Sequence, residues 1–218
     1  LDIIEFGRFI YFLTWATTLS LIARAGHDWV MLKALPNLIQ SSRSDEAKYL
    51  LLRTSATVAA EALLLCVPFV LFTFNTSPTM AISGSAIIVF AAISQVRRSV
   101  CISAGRVGQA EMPDGFVKPL LLAAVVFAVA QYNNPTAAQV MILSAILTVG
   151  ISVGAISLLL AQIPKDALSI KSRRFDLGDL KDLARTMRLA NCFNIVLANA
   201  DILLVGYLND AKFTALYA

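Results

Sequence analysis

Charge is what this sequence has least of: charged residues make up 15% of its 218 positions, against roughly 25% in an ordinary soluble domain. Apolar residues fill the gap at 58%, above the usual share of roughly 45–50%. Histidine and cysteine are nearly missing as well, with one of the first and three of the second. Cys66, Cys101 and Cys192 all lie within or beside apolar stretches, in no zinc-type spacing and with no obvious disulfide partner, so neither metal nor redox chemistry is expected. There is also no signal-peptide pattern at the start, where Leu1 precedes an apolar stretch without a basic leader.

The apolar residues are gathered into six segments, 6–25, 54–74, 79–96, 116–132, 137–163 and 191–208. Each is about the 17–25 residues that a helix needs to cross a hydrocarbon core of roughly 30 Å. They are too long for barrel strands and lack the alternation that barrels require. The expected fold is therefore an all-α integral membrane protein with about six transmembrane helices.

The net charge of +4 suggests nucleic acid in a soluble protein, but here topology explains it and no nucleic-acid partner is expected. All Lys and Arg residues except Arg8 and Lys212 fall in or beside three alternate loops. The two complete loops between them, Asn75-Thr76-Ser77-Pro78 and Asn133-Asn134-Pro135-Thr136, carry no charge. By the positive-inside rule the basic loops are cytoplasmic and Leu1 starts on the outer side, as in a multi-pass protein of a cell (inner) membrane. A chain that starts outside without a signal peptide is expected to have lost a helix upstream.

Within 164–188, Leu177, Leu180, Leu183, Ala184 and Met187 recur at helical spacing among charges. Two readings stand, an amphipathic helix at the inner interface or an extension of the next span.

A charged residue at mid-membrane costs about 2.5–3.5 kcal/mol on insertion scales, so each one needs a reason. Asp201 and Glu61 are the two acids set in apolar runs. Stepped at 100° per residue, Asn191, Asn194 and Asp201 fall near about 0°, 300° and 280°, on one face. That face is either a hydrophilic cavity wall or a source of interhelix hydrogen bonds. Glu61 shares its helix with Thr54, Ser55 and Thr57, which offer it a purely structural role. Arg8 either snorkels to the headgroups or stands at the outer mouth of a cavity, where it would meet an anionic substrate. His27, just after Gly26, reads as a loop or cap residue rather than a proton relay. Gly150 and Gly154, backed by Ser144, Ser152 and Ser157, read as a close-packing step. Pro68 and Pro119 read as places where helices bend or begin.

Several stretches together resemble one family. Glu5-Phe6-Gly7-Arg8-Phe9 with Tyr11, followed by Gly26, resembles its second helix, with the pattern E-[FY]-G-x-[FY]. Arg97-Arg98 with Gly105, then Lys118-Pro119, is similar to its connection between helices four and five, and Asp201 through Gly206 with Tyr217-Ala218 is similar to its D-x-x-[LI]-[LIV]-G and Y-x-x-A. The family is that of the polysaccharide biosynthesis or Wzx-type oligosaccharide flippases, in the multidrug/oligosaccharidyl-lipid/polysaccharide exporter superfamily.

The resemblance implies two six-helix bundles around a central cavity, joined on the cytoplasmic side. This chain would then be a fragment holding helices two to seven: 1–163 the rest of the N-terminal bundle, 164–188 the linker, and 189–218 the first, truncated helix of the C-terminal bundle. It also implies transport by alternating access rather than bond chemistry, with no cofactor. The substrate would be a lipid-linked oligosaccharide, a polysaccharide or O-antigen precursor whose tail stays among the membrane lipids. Asp201, Asn191, Asn194, Arg8 and Glu61 are the expected cavity or gating residues. Two alternatives remain: a drug or cation antiporter whose coupling ion, a proton or sodium, binds Asp201 or Glu61, and a membrane glycosyltransferase or polymerase. The short uncharged loops speak against the latter.

Overall fold

The computed structural model describes residues 2–41, 43–131, 135–161, 178–208 and 211–217. Among these the chain is helix and turn with no strand. Helix α1 (Ile3–Arg24) leads to a shorter α2 (His27–Gln40), then to the long α3 (Ser44–Thr73) and α4 (Pro78–Ser103). A short α5 (Val107–Glu111) runs through a π-helical turn, Met112–Val117, into α6 (Lys118–Ala130). Helices α7 (Ala137–Ala161), α8 (Gly178–Leu208) and α9 (Ala211–Tyr217) complete the chain. Six helical stretches among the described residues are long and apolar enough to cross a membrane, at Ile3–Arg24, Asp45–Thr73, Pro78–Ser103, Val107–Ala130, Ala137–Ser157 and Arg185–Leu208. The protein is a multi-pass, all-α membrane protein.

Local chemistry sets the helix ends. The Asp2 carboxylate accepts the Ile3 N–H at 2.7 Å, and Ser77 receives the Met80 N–H at the start of α4. Gly26 adopts φ +83°, a left-handed conformation that an L side chain rarely takes, and so turns the chain from α1 into α2. Pro113 and Pro119 have no N–H to donate. Between them the ladder slips to five-residue spacing, with the Lys118 N–H reaching Pro113 O. The fourth span therefore begins at Val107 rather than near 116, and Pro119 stands inside it.

Helix α4 is the axis of the bundle and packs against α1, α2, α3 and α7. Its Ile87, Ile88 and Ala92 are fully buried in one apolar core with Phe12 and Ala16 of α1, Val58 and Ala62 of α3, and Met141 of α7. Lipid is as apolar as leucine, so close approach rather than hydrophobicity drives helices together in a bilayer. The buried alanines at positions 16, 62, 81, 92 and 137 permit that approach. Leu64, Leu71, Phe127 and Leu197 remain about 70% exposed and form the lipid-facing surface.

Two sequence expectations change here. A Cβ placed on Gly150 or Gly154 would meet nothing within 4 Å, so among the described residues those glycines are not a packing step. The opposite face of α7 packs instead, through buried Ser144, Thr148 and Ser152, with the Ser152 hydroxyl donating to Phe90 O at 3.2 Å. The stretch after Gly26, where His27 read as a loop or cap residue and Lys33 belonged to the first basic loop, forms α2, whose Met31, Ala34, Leu35 and Leu38 bury against Leu50 of α3. Of the linker 164–188, residues 164–177 lie outside the described residues. From Gly178 the helix runs unbroken into the sixth span, so the described part extends that span.

Candidate functional site

The bundle has a basic end, where Arg24, Arg53, Arg97 and Arg98 lie, and an opposite end at the Asn75–Pro78 loop. At the basic end a carboxylate bridges three helices. Glu61 of α3 receives Arg188 Nη2 of α8 on Oε2, while its Oε1 lies 3.5 Å from His27 Nε2 at the start of α2. Arg188 also donates from Nε to the Ala25 carbonyl at 3.2 Å, and its Nη2 stands 3.4 Å from the histidine nitrogen. The Arg188 and Glu61 side chains are 40% and 31% exposed, so the pair is partly shielded but not dry. Glu61 thereby acquires the partner that its apolar segment demanded, and the partner comes from 127 residues further along the chain.

A second ion pair lies at the same junction of α1 and α2. Arg24 Nη1 bonds Asp28 Oδ2, and Asp28 Oδ1 lies 3.4 Å from the Ser99 hydroxyl of α4. Burial pushes the Asp28 carboxyl above its ordinary range, an effect the Arg24 guanidinium and the Ser99 hydroxyl partly offset. Arg24 Nε is buried without a hydrogen-bond partner. This pair closes one end of a groove of about 340 Å³ between α1, α2 and α8, whose α8 wall carries Asn191, Asn194 and Asn199. Asn199 donates to Ile195 O on its own helix. Among the described residues, the carboxamides of Asn191 and Asn194 have no protein partner.

The other end is closed by close packing. A Cβ on Gly7 would sit 1.7 Å from Ala211 O, and one on Gly206 would sit 2.1 Å from the Tyr11 ring. Glycines from the two sequence patterns at opposite ends of the chain thus let α1 meet α8 and α9. Glu5 accepts the Ala137 N–H at 2.8 Å, capping α7, and pairs with Arg8 at 3.0 Å. Arg8 lines a cavity of about 470 Å³ here, with Tyr11, Thr76 and Thr214.

The five residues singled out in the sequence therefore separate into four places. Asn191 and Asn194 share the groove, Glu61 belongs to the bridge beside it, and Arg8 lines the far cavity. Asp201 is exposed on α8, with its Oδ1 accepting the Ile202 N–H, and is not part of the groove wall. The groove-facing arc is centred on Asn191, with Asn194 and Asn199 to either side, and Asp201 lies beyond Asn194. Sequence reasoning missed Arg188, Arg24, Asp28 and Asn199 as site residues, and read His27 as a loop or cap residue. The available signal was the acid at Glu61, which required a basic partner without naming it. Among the described residues, no cluster of His, Cys, Asp and Glu is placed to hold a metal ion. Comparison with family models, with curated proteins and with solved structures finds no match for this chain.

Proposed function

We propose that this chain serves a transporter that moves a lipid-linked oligosaccharide, such as a polysaccharide or O-antigen precursor, across the cytoplasmic membrane by alternating access, with its basic end in the cytoplasm. The observation that carries this reading is the polar groove beside α8, in a bundle that elsewhere exposes large apolar side chains such as Leu64, Leu71, Phe127 and Leu197. Unpaired carboxamides on a spanning helix are costly against lipid and are retained where they meet a polar cargo or water. The family resemblance supports the same reading. The basic loops support the orientation. A polar headgroup would enter at the basic end, where Arg188 and Glu61 tie α8 to the bundle, while its lipid tail stays outside among the exposed leucines of α3 and α8. Asp201 and Arg8 belong in this scheme to the opposite gate.

The test is genetic and chemical together. Removing the gene from its host should cause lipid-linked oligosaccharide to accumulate on the cytoplasmic leaflet, and restoring it should clear the accumulation. Unchanged lipid-linked pools after removal would refute the proposal.

One observation favours a second reading, an ion-coupled antiporter: Glu61, an acid within a spanning helix, stands 3.5 Å from His27 Nε2. In that case removal would alter drug or cation efflux and leave the oligosaccharide pools unchanged.

A further inference from the structure

The groove itself carries a prediction about its ligand, which deepens the transport reading and rests on it only for the ligand's biological source. Its wall offers the Asn191 and Asn194 carboxamides, each with two N–H donors and one acceptor oxygen. Around it, each named cation already has a carboxylate: Arg24 has Asp28, Arg188 has Glu61, and Arg98, the next arginine toward the pair, has Glu111 at 2.5 Å. Within the groove's described lining the formal charges of Arg24 and Asp28 cancel, so the lining itself carries no net charge to hold an anion. The phosphodiester or diphosphate of a lipid-linked sugar also mainly accepts hydrogen bonds at neutral pH, and would leave the carboxamide oxygens of Asn191 and Asn194 without donors. Hydroxyl groups donate and accept alike, which matches the mixed character of the wall. The three asparagines span eight residues of α8, about 12 Å along the helix axis, room for more than one ring contact.

We infer that this groove is a binding site for an uncharged, polyhydroxylated group, a neutral sugar ring, and that the phosphate of any lipid-linked substrate is held elsewhere. A sugar lying in the groove would replace the water on Asn191 and Asn194 and would lie against Ala25, whose carbonyl anchors Arg188. Filling the site therefore bears directly on the contact that ties α8 to α1.

The test reads occupancy without transport. Cys66, Cys101 and Cys192 are replaced by alanine and Ala198→Cys is introduced, because Ala198 lines the groove but carries no polar group; Ile195→Cys serves as a second reporter should the first fail to fold. The full chain in lipid nanodiscs is alkylated with a maleimide in the presence of maltose, cellobiose or N,N′-diacetylchitobiose, and separately with inorganic pyrophosphate. At a sugar concentration near ten times Kd, labelling should slow about tenfold. Pyrophosphate should leave the rate unchanged. Asn191→Leu with Asn194→Leu should abolish the protection while preserving the thermal unfolding midpoint. Protection by pyrophosphate, protection by none of the three sugars, or protection that survives the double leucine substitution would each overturn the inference. If sugars protect but the gene's removal leaves lipid-linked oligosaccharide unchanged, the groove assignment stands and the transport reading fails. The converse result refutes the groove assignment alone.

Discussion

The bridge from Arg188 to Glu61 should hold α8 against the rest of the bundle with a measurable energy. Exposed ion pairs contribute about 0.2–1 kcal/mol, and removing one partner of a fully buried pair costs about 3–5 kcal/mol. At 40% and 31% exposure this pair lies between those limits and nearer the first, so its coupling should be about 1–2 kcal/mol. That corresponds to a roughly five- to thirtyfold change in the population of states in which this end of α8 is detached. The two partners should not be equivalent. Glu61→Gln leaves the bond from Arg188 Nε to the Ala25 carbonyl, whereas Arg188→Gln removes both anchors and should open α8 further. The assay is hydrogen exchange at the α8 amides near Arg188 in nanodiscs, measured for each single variant and for the double. If the two effects add to within about 0.5 kcal/mol, the residues are not coupled and the bridge has no energetic meaning.

Other outcomes follow from the same geometry. Gly7→Ala should lower thermal stability by about 1–3 kcal/mol, because its methyl meets the Ala211 backbone at 1.7 Å, while Gly150→Ala should be neutral or slightly stabilising; equal effects in a detergent melt would contradict the packing. Because burial raises the Asp28 carboxyl, the folded state holds that proton more tightly than the unfolded state does. The stability this residue contributes is therefore present below the ordinary value of about 3.9 and lost as pH rises through the raised one. Asp28→Asn should remove that pH dependence from the unfolding midpoint, and an unchanged slope would assign it to another group. For the orientation, a cysteine in place of Ser77 should react with an impermeant thiol reagent in intact cells and one in place of Gln109 should not, once the native cysteines are replaced; the reverse pattern would invert the topology.

The sequence made the spans legible because twenty-odd apolar residues in a row have few other uses, and six of the segments reappear as crossing helices. Their ends were less legible. Helix α3 continues back to Ser44 and α4 on to Ser103, since backbone hydrogen bonding does not stop where side chains become charged. Helix α2 escaped because its buried stripe, Met31, Ala34, Leu35 and Leu38, is only two turns long, well short of a membrane span, and is interrupted by Lys33 and Pro36. For the site, the asparagine stripe on α8 was visible as a period, but not its limits: Asn199 belongs to the wall and Asp201 does not, a distinction set by where α1 lies against α8. Glu61 was visible as an anomaly, but Arg188 read as one more basic loop residue because only the fold brings the two helices together. The glycines misled in the opposite sense. Gly150 and Gly154 have the familiar spacing and face open space, while Gly7 and Gly206, some 200 positions apart, mark the close approaches.

Transport of a lipid-linked oligosaccharide is the central claim, and leaflet exchange tests it most directly. The protein expressed from its own gene is reconstituted in vesicles with a lipid-linked oligosaccharide carrying a fluorophore on its sugar, and an impermeant reductant is added outside. The account predicts that bleaching proceeds beyond the plateau of empty vesicles, and that Asn191→Leu with Asn194→Leu returns it to that plateau. Bleaching that stops at the empty-vesicle level with the unaltered protein, or that is equally fast for a labelled phospholipid without a glycan, would contradict it.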